Sequence, residues 1–255
     1  MTFFETIAVA FSMYSALPMP QFPWTGRNMR YAMAAFPLVG VLCGAAVWLW
    51  AWLSALLDFG PLLTGAGLAL APVLVTGGIH LDGFCDTTDA LASHAGRERK
   101  LEILKDSHCG AFAVIGTACY LLFLTALCAE LTPDRNALWR LSLTFLFSRA
   151  ASGLAVTSFP CAKHSGLAHT FADMAARRQT RLVLLTALLA VGAALAALGG
   201  GWMLAAAAAM FGIYYLTSKR IFGGITGDLA GWFLQWCELL MVLALVITQK
   251  LEGAA

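Results

Sequence analysis

Long uncharged runs alternate with short polar stretches along most of this chain. Residues 34–57 carry no charge and are rich in Trp and small side chains. Residues 61–79, 111–129 and 182–198 repeat the pattern, and 239–249 with the preceding turns closes the series. Residues 202–217 are shorter but wholly uncharged, and 138–159 are apolar apart from Arg140 and Arg149. Runs of about 18 or more such residues suffice to cross a hydrocarbon core of roughly 30 Å. The pattern predicts an all-α integral membrane protein, a bundle of about seven transmembrane helices, within a single polytopic domain over 1–255.

The first residues read differently. Residues 2–17 are apolar with one acid, Glu5, and end in Leu17-Pro18-Met19-Pro20. They lack the basic n-region and small-residue cleavage site of a signal peptide. A crossing here would reverse the alternation of sides, so an N-terminal interfacial or re-entrant helix is expected, with Trp24 as an interface anchor.

Composition sharpens the class. At 60% hydrophobic and 12% charged residues, the chain lies outside the soluble range. With the N-terminus and residues 80–89 on one side, the short loops there hold Arg27, Arg30, Arg97, Arg99, Lys100, Lys105, Lys163, Arg177, Arg178, Arg181, Lys219 and Arg220. The other side holds Arg135 and Lys250 alone. Such a bias keeps the basic side cytoplasmic. Loops near 80–110, 160–181 and 218–228 then share that face, where three separated segments can build one site. No basic run suits a nucleic acid. The seven cysteines form no CxxC pair and read as small packing residues in a reduced setting.

The densest chemistry is His80-Leu-Asp-Gly-Phe-Cys-Asp-Thr-Thr-Asp89. Asp82, Asp86 and Asp89 are spaced i, i+4, i+7, one face of a helix. Like charges this close repel, the more so beside hydrocarbon. A hard cation such as Mg²⁺ is the simplest resident, which makes this a phosphate-handling site rather than a solvated helix end. Gly77 and Gly78 permit a helix break or close approach before His80, and Gly83 leaves the backbone beside Asp82 uncovered.

Three further segments join it. In 101–110, Glu102 and Asp106 lie one turn apart and Lys105 offers a phosphate a point charge; on residue type alone a plain polar loop is an equal reading. Arg97, Arg99 and Lys100 read as topology determinants. Gly223-Gly224-Ile225-Thr226-Gly227-Asp228 feeds an apolar span, so its free N–H groups could meet an anion and Asp228 could add a fourth carboxylate. Arg149, inside an apolar span, either binds phosphate or neutralises an acid. Glu238, deeper in the last span, could pair with Arg140 or Arg149. The aromatic residues Phe84, Phe112, Trp232 and Trp236 read first as packing or interface anchors.

These motifs resemble the cobalamin-5′-phosphate synthases, also called adenosylcobinamide-GDP ribazoletransferases. Gly77 to Asp89 is similar to the family run Gly-Gly-hydrophobic-His-x-Asp-Gly-x-x-Asp-x-x-Asp. Leu101 to Phe112 matches Leu-Glu-Ile-x-Lys-Asp-Ser-x-x-Gly-x-Phe, and Gly223 to Asp228 matches Gly-Gly-x-Thr-Gly-Asp. Leu17 to Pro20 and Pro37 to Gly40 also fit, so the likeness covers nearly the whole chain in order. The chain departs from the family in having Tyr14-Ser15-Ala16 where Thr-Arg-Ile is usual, Cys85 where Ala is, and Ala90 where Gly is frequent.

The resemblance implies a Mg²⁺-dependent enzyme of the bacterial cytoplasmic (inner) membrane, with its active site on the cytoplasmic side. It implies adenosylcobinamide-GDP and α-ribazole, or its 5′-phosphate, as substrates, and adenosylcobalamin, or its 5′-phosphate, plus GMP as products. Asp82, Asp86, Asp89 and Asp228 are the expected metal ligands. Lys105 would bind a phosphate oxygen, and Asp106 or His80 would take the hydroxyl proton. Substrate contacts are expected from His80, Gly83, Ser107, Arg149, Gly224 and Gly227. Membrane lipid is the expected surrounding, and a homo-oligomer or association with other corrinoid-pathway enzymes is compatible with the chain. The competing classes are another diphosphate-using membrane transferase, of prenyl or CDP-alcohol type, and a cation transporter. The CDP-alcohol pattern is weakened by a missing Arg and different acid spacing, and the transporter by acids gathered at the boundary rather than deep in the spans.

Overall fold

The computed structural model describes residues 2–106, 108–162 and 167–253. Helices dominate: α1 (Thr2–Tyr14), α2 (Ala32–Leu56), α3 (Pro61–Thr76), α4 (Ile79–Ala92), α5 (Arg97–Ile103) and α6 (Ala111–Glu130) form the first half. The second half holds α7 (Arg135–Ser158), α8 (Leu167–Met174), α9 (Arg177–Ala197), α10 (Gly201–Thr217), a π-helical turn (Ser218–Phe222) and α11 (Gly227–Glu252). Among the described residues, β-pairing is confined to one parallel bridge, Cys161 to Ile225.

The all-α membrane class stands. Among the described residues five helices are long and apolar enough to cross a bilayer: α2 with the turn before it, α6, α9, α10 with the turn after it, and α11. The bent pair α3 and α4 would make a sixth. Length and composition alone thus give five or six candidate spans against the seven expected. Residues 61–79 were expected to be one straight span, yet the chain turns by 97° after Thr76. Two successive left-handed residues make the turn, Gly77 at φ 62° and Gly78 at φ 79°. Only glycine adopts that conformation without a Cβ clash. Residues 138–159 fall short of a candidate span by composition. α7 buries Arg140, Ser142, Thr144, Ser148, Arg149, Ser152 and Thr157, so its composition is too polar for a lipid-facing span. It packs between α2, α9 and α11, and protein on all sides lets these polar groups find partners. Thr144 and Thr157 donate to the carbonyls of Arg140 and Gly153, four residues back.

Burial separates centre from rim. In α11 78% of the apolar window is inside the bundle, against 28% in α6 and 17% in α9. Small residues set the closest approaches, as expected where no solvent drives helices together. A Cβ on Gly40 would lie 2.5 Å from the Phe145 carbonyl oxygen, and one on Gly44 2.9 Å from Ser142 Cβ. This small-xxx-small pair locks α2 onto α7. α1, at 13 residues, is too short to cross alone. It leaves Phe3 and Phe4 exposed while packing against α2.

Candidate active site

The site is built where α4 crosses α11. Gly83 is the contact: a Cβ there would sit 2.8 Å from the Asp228 carbonyl oxygen and 2.9 Å from its Cα. One turn along α11, Gly231 abuts the His80 carbonyl in the same way, at 2.8 Å. The absence of both side chains lets the two backbones touch, and that contact brings Asp82 beside Asp228. Each acid lies in the first turn of its helix, where the positive end of the helix dipole favours negative charge. Asp86 is within electrostatic reach of Asp82, Asp228 and Asp89. The expected single face of α4 is thus realised, and Asp228 joins it from another segment of the chain.

Asp82 is exposed, and Asp86, Asp89 and Asp228 are half-buried. Among the described residues none of Asp82, Asp86 and Asp89 forms a salt bridge. Nor do three or more His, Cys, Asp or Glu side chains among them already close around a point where an ion could sit. The donor set is all carboxylate oxygen, which suits a hard cation. Gly110 opens the far end, because any side chain there would run into the Asp89 carboxylate.

The neighbouring loops meet at this end of the bundle. Ile225 donates to the Pro160 carbonyl (2.8 Å) and Ala162 to the Ile225 carbonyl (2.9 Å), which ties 160–162 to the glycine-rich turn. Arg97 Nη2 donates to the Arg220 carbonyl at 3.4 Å, bringing α5 alongside. Gly224 is committed to this packing: a Cβ on it would lie 2.5 Å from the Cys161 carbonyl carbon and 2.6 Å from the Pro160 oxygen. Gly227 faces open space. It starts α11 after the Thr226 hydroxyl, which accepts from the Leu229 N–H at 3.2 Å and caps the helix.

The other expected site residues divide. Lys105 and Asp106 are exposed on the loop after α5. Asp106 accepts from the His108 backbone N–H (3.0 Å) and meets its ring Nδ1 (2.6 Å). Those two bonds hold its carboxyl below the usual carboxylate range. Ser107 lies outside the described residues, as do Lys163 and the rest of 163–166. Arg149 lies away from the acids: it is 1% exposed, and its Nη1 donates to Glu238 Oε1 at 2.7 Å and to the Phe145 carbonyl at 3.0 Å. Ser148 donates to the same Glu238 oxygen at 2.8 Å. Of the two partners left open for Glu238, Arg149 is the one realised. Arg140 instead reaches Glu252 at 3.3 Å and the Leu198 carbonyl.

Two cavities adjoin the acids. A mainly apolar one of about 620 Å³ lies between α4, α6 and α11, lined by Phe84, Tyr120, Trp232 and Trp236 among others. Phe112 is exposed and takes no part in it. A smaller cavity of about 230 Å³ reaches from Asp82 and Asp228 inward to His80, Phe36 and Tyr14. Neither Tyr14 nor Phe36 carried a chemical signal in the sequence, since aromatic residues in apolar helices read as packing.

Comparisons with known proteins give the family. A family model described as cobalamin-5-phosphate synthase matches residues 6–246. The adenosylcobinamide-GDP ribazoletransferase of Lachnoclostridium phytofermentans is 39% identical, over 98% of this chain and 96% of that protein. The protein of the same name from Desulfitobacterium hafniense is 36% identical, over 93% and 94%. No solved structure matches. The acidic helix, the loop of Lys105 and the glycine-rich turn all fall within the matched residues, and the chain belongs to the cobalamin-5-phosphate synthase family.

Proposed function

We propose that this chain transfers the adenosylcobinamide-phosphate part of adenosylcobinamide-GDP to a ribose hydroxyl of α-ribazole, or of its 5′-phosphate. The hydroxyl oxygen bonds to the phosphorus nearer the cobinamide, the bond from that phosphorus to the bridging oxygen breaks, and GMP leaves with that oxygen. The observation that carries this reading is the α4–α11 crossing, which gathers four carboxylates from two segments into one partly open patch. Such a patch repels a diphosphate unless a cation lies between them.

Asp82, Asp86, Asp89 and Asp228 would hold Mg²⁺. That ion takes oxygen ligands and keeps several positions for water and substrate phosphate rather than a closed protein cage, so widely set carboxylates suit it. When bound it neutralises charge on the bridging and leaving oxygens. Lys105 binds a phosphate oxygen as a point charge. Asp106 takes the hydroxyl proton and passes it to solvent. The twelve basic residues counted for one side under a seven-span alternation, against two for the other, support a cytoplasmic site in a protein of the cytoplasmic membrane.

Detergent-purified protein incubated with adenosylcobinamide-GDP and α-ribazole tests the reading, with cobalamin and GMP followed by chromatography. Products are expected with Mg²⁺ and none with excess chelator. Product in the chelated reaction would remove the metal from the account. No product from folded, metal-supplied protein would defeat the transferase reading itself.

A further inference from the structure

The smaller cavity has a shape and chemistry the acids alone do not explain. It is walled by residues of α1, α2, α4, α7 and α11, with Asp82 and Asp228 at its open end. At about 230 Å³ it falls below the range of whole-ligand sites, about 300–1,000 Å³, so it seats a fragment. A corrin ring does not fit, whereas a fused bicyclic ring does. Its inner walls carry Phe36, Val156 and the Tyr14 ring, whose hydroxyl is turned to the Met33 sulfur at 3.6 Å. His80 is 5% exposed, lines the cavity, and its Nε2 has no hydrogen-bond partner. A buried imidazole nitrogen left unpaired is costly. In a helix this tightly packed, such a loss points to a partner that arrives with a ligand.

The substrates offer three flat bases, and the walls discriminate among them; the adenine of the adenosyl group, like guanine, has several polar edge atoms. Guanine carries polar atoms around most of its edge, and each one buried unpaired is costly. Besides His80, the walls away from the acids offer only the hydroxyls of Ser152 and Tyr14. The base of α-ribazole is apolar apart from one free ring nitrogen, an acceptor for a single N–H. We infer that this cavity is the seat of the acceptor's azole base, with His80 Nε2 as the donor to its free ring nitrogen and the ribose left at the mouth among the carboxylates. The inference rests on the proposed transfer and assigns its acceptor subsite. It makes Val156 and Phe36 determinants of which bases are accepted.

The test is a kinetic comparison of full-length wild type, His80→Phe and Val156→Ala in detergent, with α-ribosides of benzimidazole, 5,6-dimethylbenzimidazole and the larger naphthimidazole. Loss of the His80 contact should raise the KM for the acceptor about tenfold and leave the KM for adenosylcobinamide-GDP within about twofold. Val156→Ala should shift the kcat/KM ratio toward naphthimidazole by about threefold or more. A merely structural role would move neither the split between the two KM values nor the order of bases. Unchanged acceptor KM and base preference in active variants would overturn the assignment. If the wild type transfers to no acceptor, the functional reading fails, and equilibrium dialysis with benzimidazole alone still judges the cavity. Saturable binding weakened by His80→Phe upholds an azole seat; absence of saturable binding overturns it.

Discussion

Two sets of charged side chains lie in this bundle, and they are built on opposite rules. Deep between α7 and α11, Arg149 and Glu238 face each other at 2.7 Å, with Ser148 bonded to the same oxygen and the Phe145 carbonyl taking a second guanidinium bond. Charge is balanced there and solvent is excluded. At the end of the bundle, Asp82, Asp86, Asp89 and Asp228 share one sign and are only partly covered. A closed, balanced pair is satisfied mainly by its own protein partners, whereas a group of like charges open to solvent favours a cation and the anion that follows it. On the proposed function, the first holds the bundle together and the second does its chemistry.

The comparison breaks first if the acids prove structural. Asp82→Ala or Asp86→Ala should abolish turnover, a loss on the order of a thousandfold or more given the several kcal/mol a metal contributes to such transfers. Thermal stability should stay near that of the wild type or rise, because a source of like-charge repulsion is gone. Near-normal activity in both variants would sink the ligand assignment.

The reverse pattern is expected in the core. Arg149→Met leaves the Glu238 carboxylate buried without its cation, and such half-broken pairs lose about 3–5 kcal/mol. The double variant Arg149→Met/Glu238→Leu should recover most of that loss, since two apolar side chains replace the pair without an orphaned charge. Denaturation in detergent across the four-member cycle measures the coupling. A double variant no more stable than the single one would mean that Arg149 acts elsewhere than on Glu238.

These two sites were not equally legible in the sequence. The acidic helix could be read because its information is local: spacing of i, i+4, i+7 fixes a face, and Gly77-Gly78 marks the break before it. The buried pair was visible only as an uneasy arginine and an uneasy acid. Arg140 and Arg149 stand nine residues apart, about 14 Å along a helix, and only the vertical alignment of α7 with α11 selects between them. α7 was hard to weigh on the same ground, because hydropathy cannot say that a polar helix packs against three others. Gly224 read as an anion cradle, but its neighbours turned out to be the backbone of 160–162, a contact remote in sequence. The cavity at His80 was least legible, since Tyr14, Phe36 and Val156 come from three other helices.

Asp106 stands between the two rules and gives the smallest expected effect. It is an exposed acid on the loop after α5, yet His108 already satisfies it as a partner would in the core. The carboxyl titrates below its ordinary value of 3.8, so it is a weak base and remains ionised throughout neutral and mildly acidic pH. General bases contribute about 10²–10⁴-fold when their pKa lies near the working pH, and a weaker one belongs at or under the low end. Asp106→Asn should therefore lower kcat by about ten- to a hundredfold, well short of the loss at Asp82. The sign of any linked stability is that of a depressed acid: present above the ordinary carboxylate value, lost only as pH falls through the lower folded one. Stability between pH 5 and 8 should accordingly not depend on this residue, and Asp106→Asn should leave the pH profile of melting unchanged across that window. A kcat loss as deep as that of Asp82→Ala would move Asp106 into the open group, and unaltered kcat would return it to the loop as a structural acid.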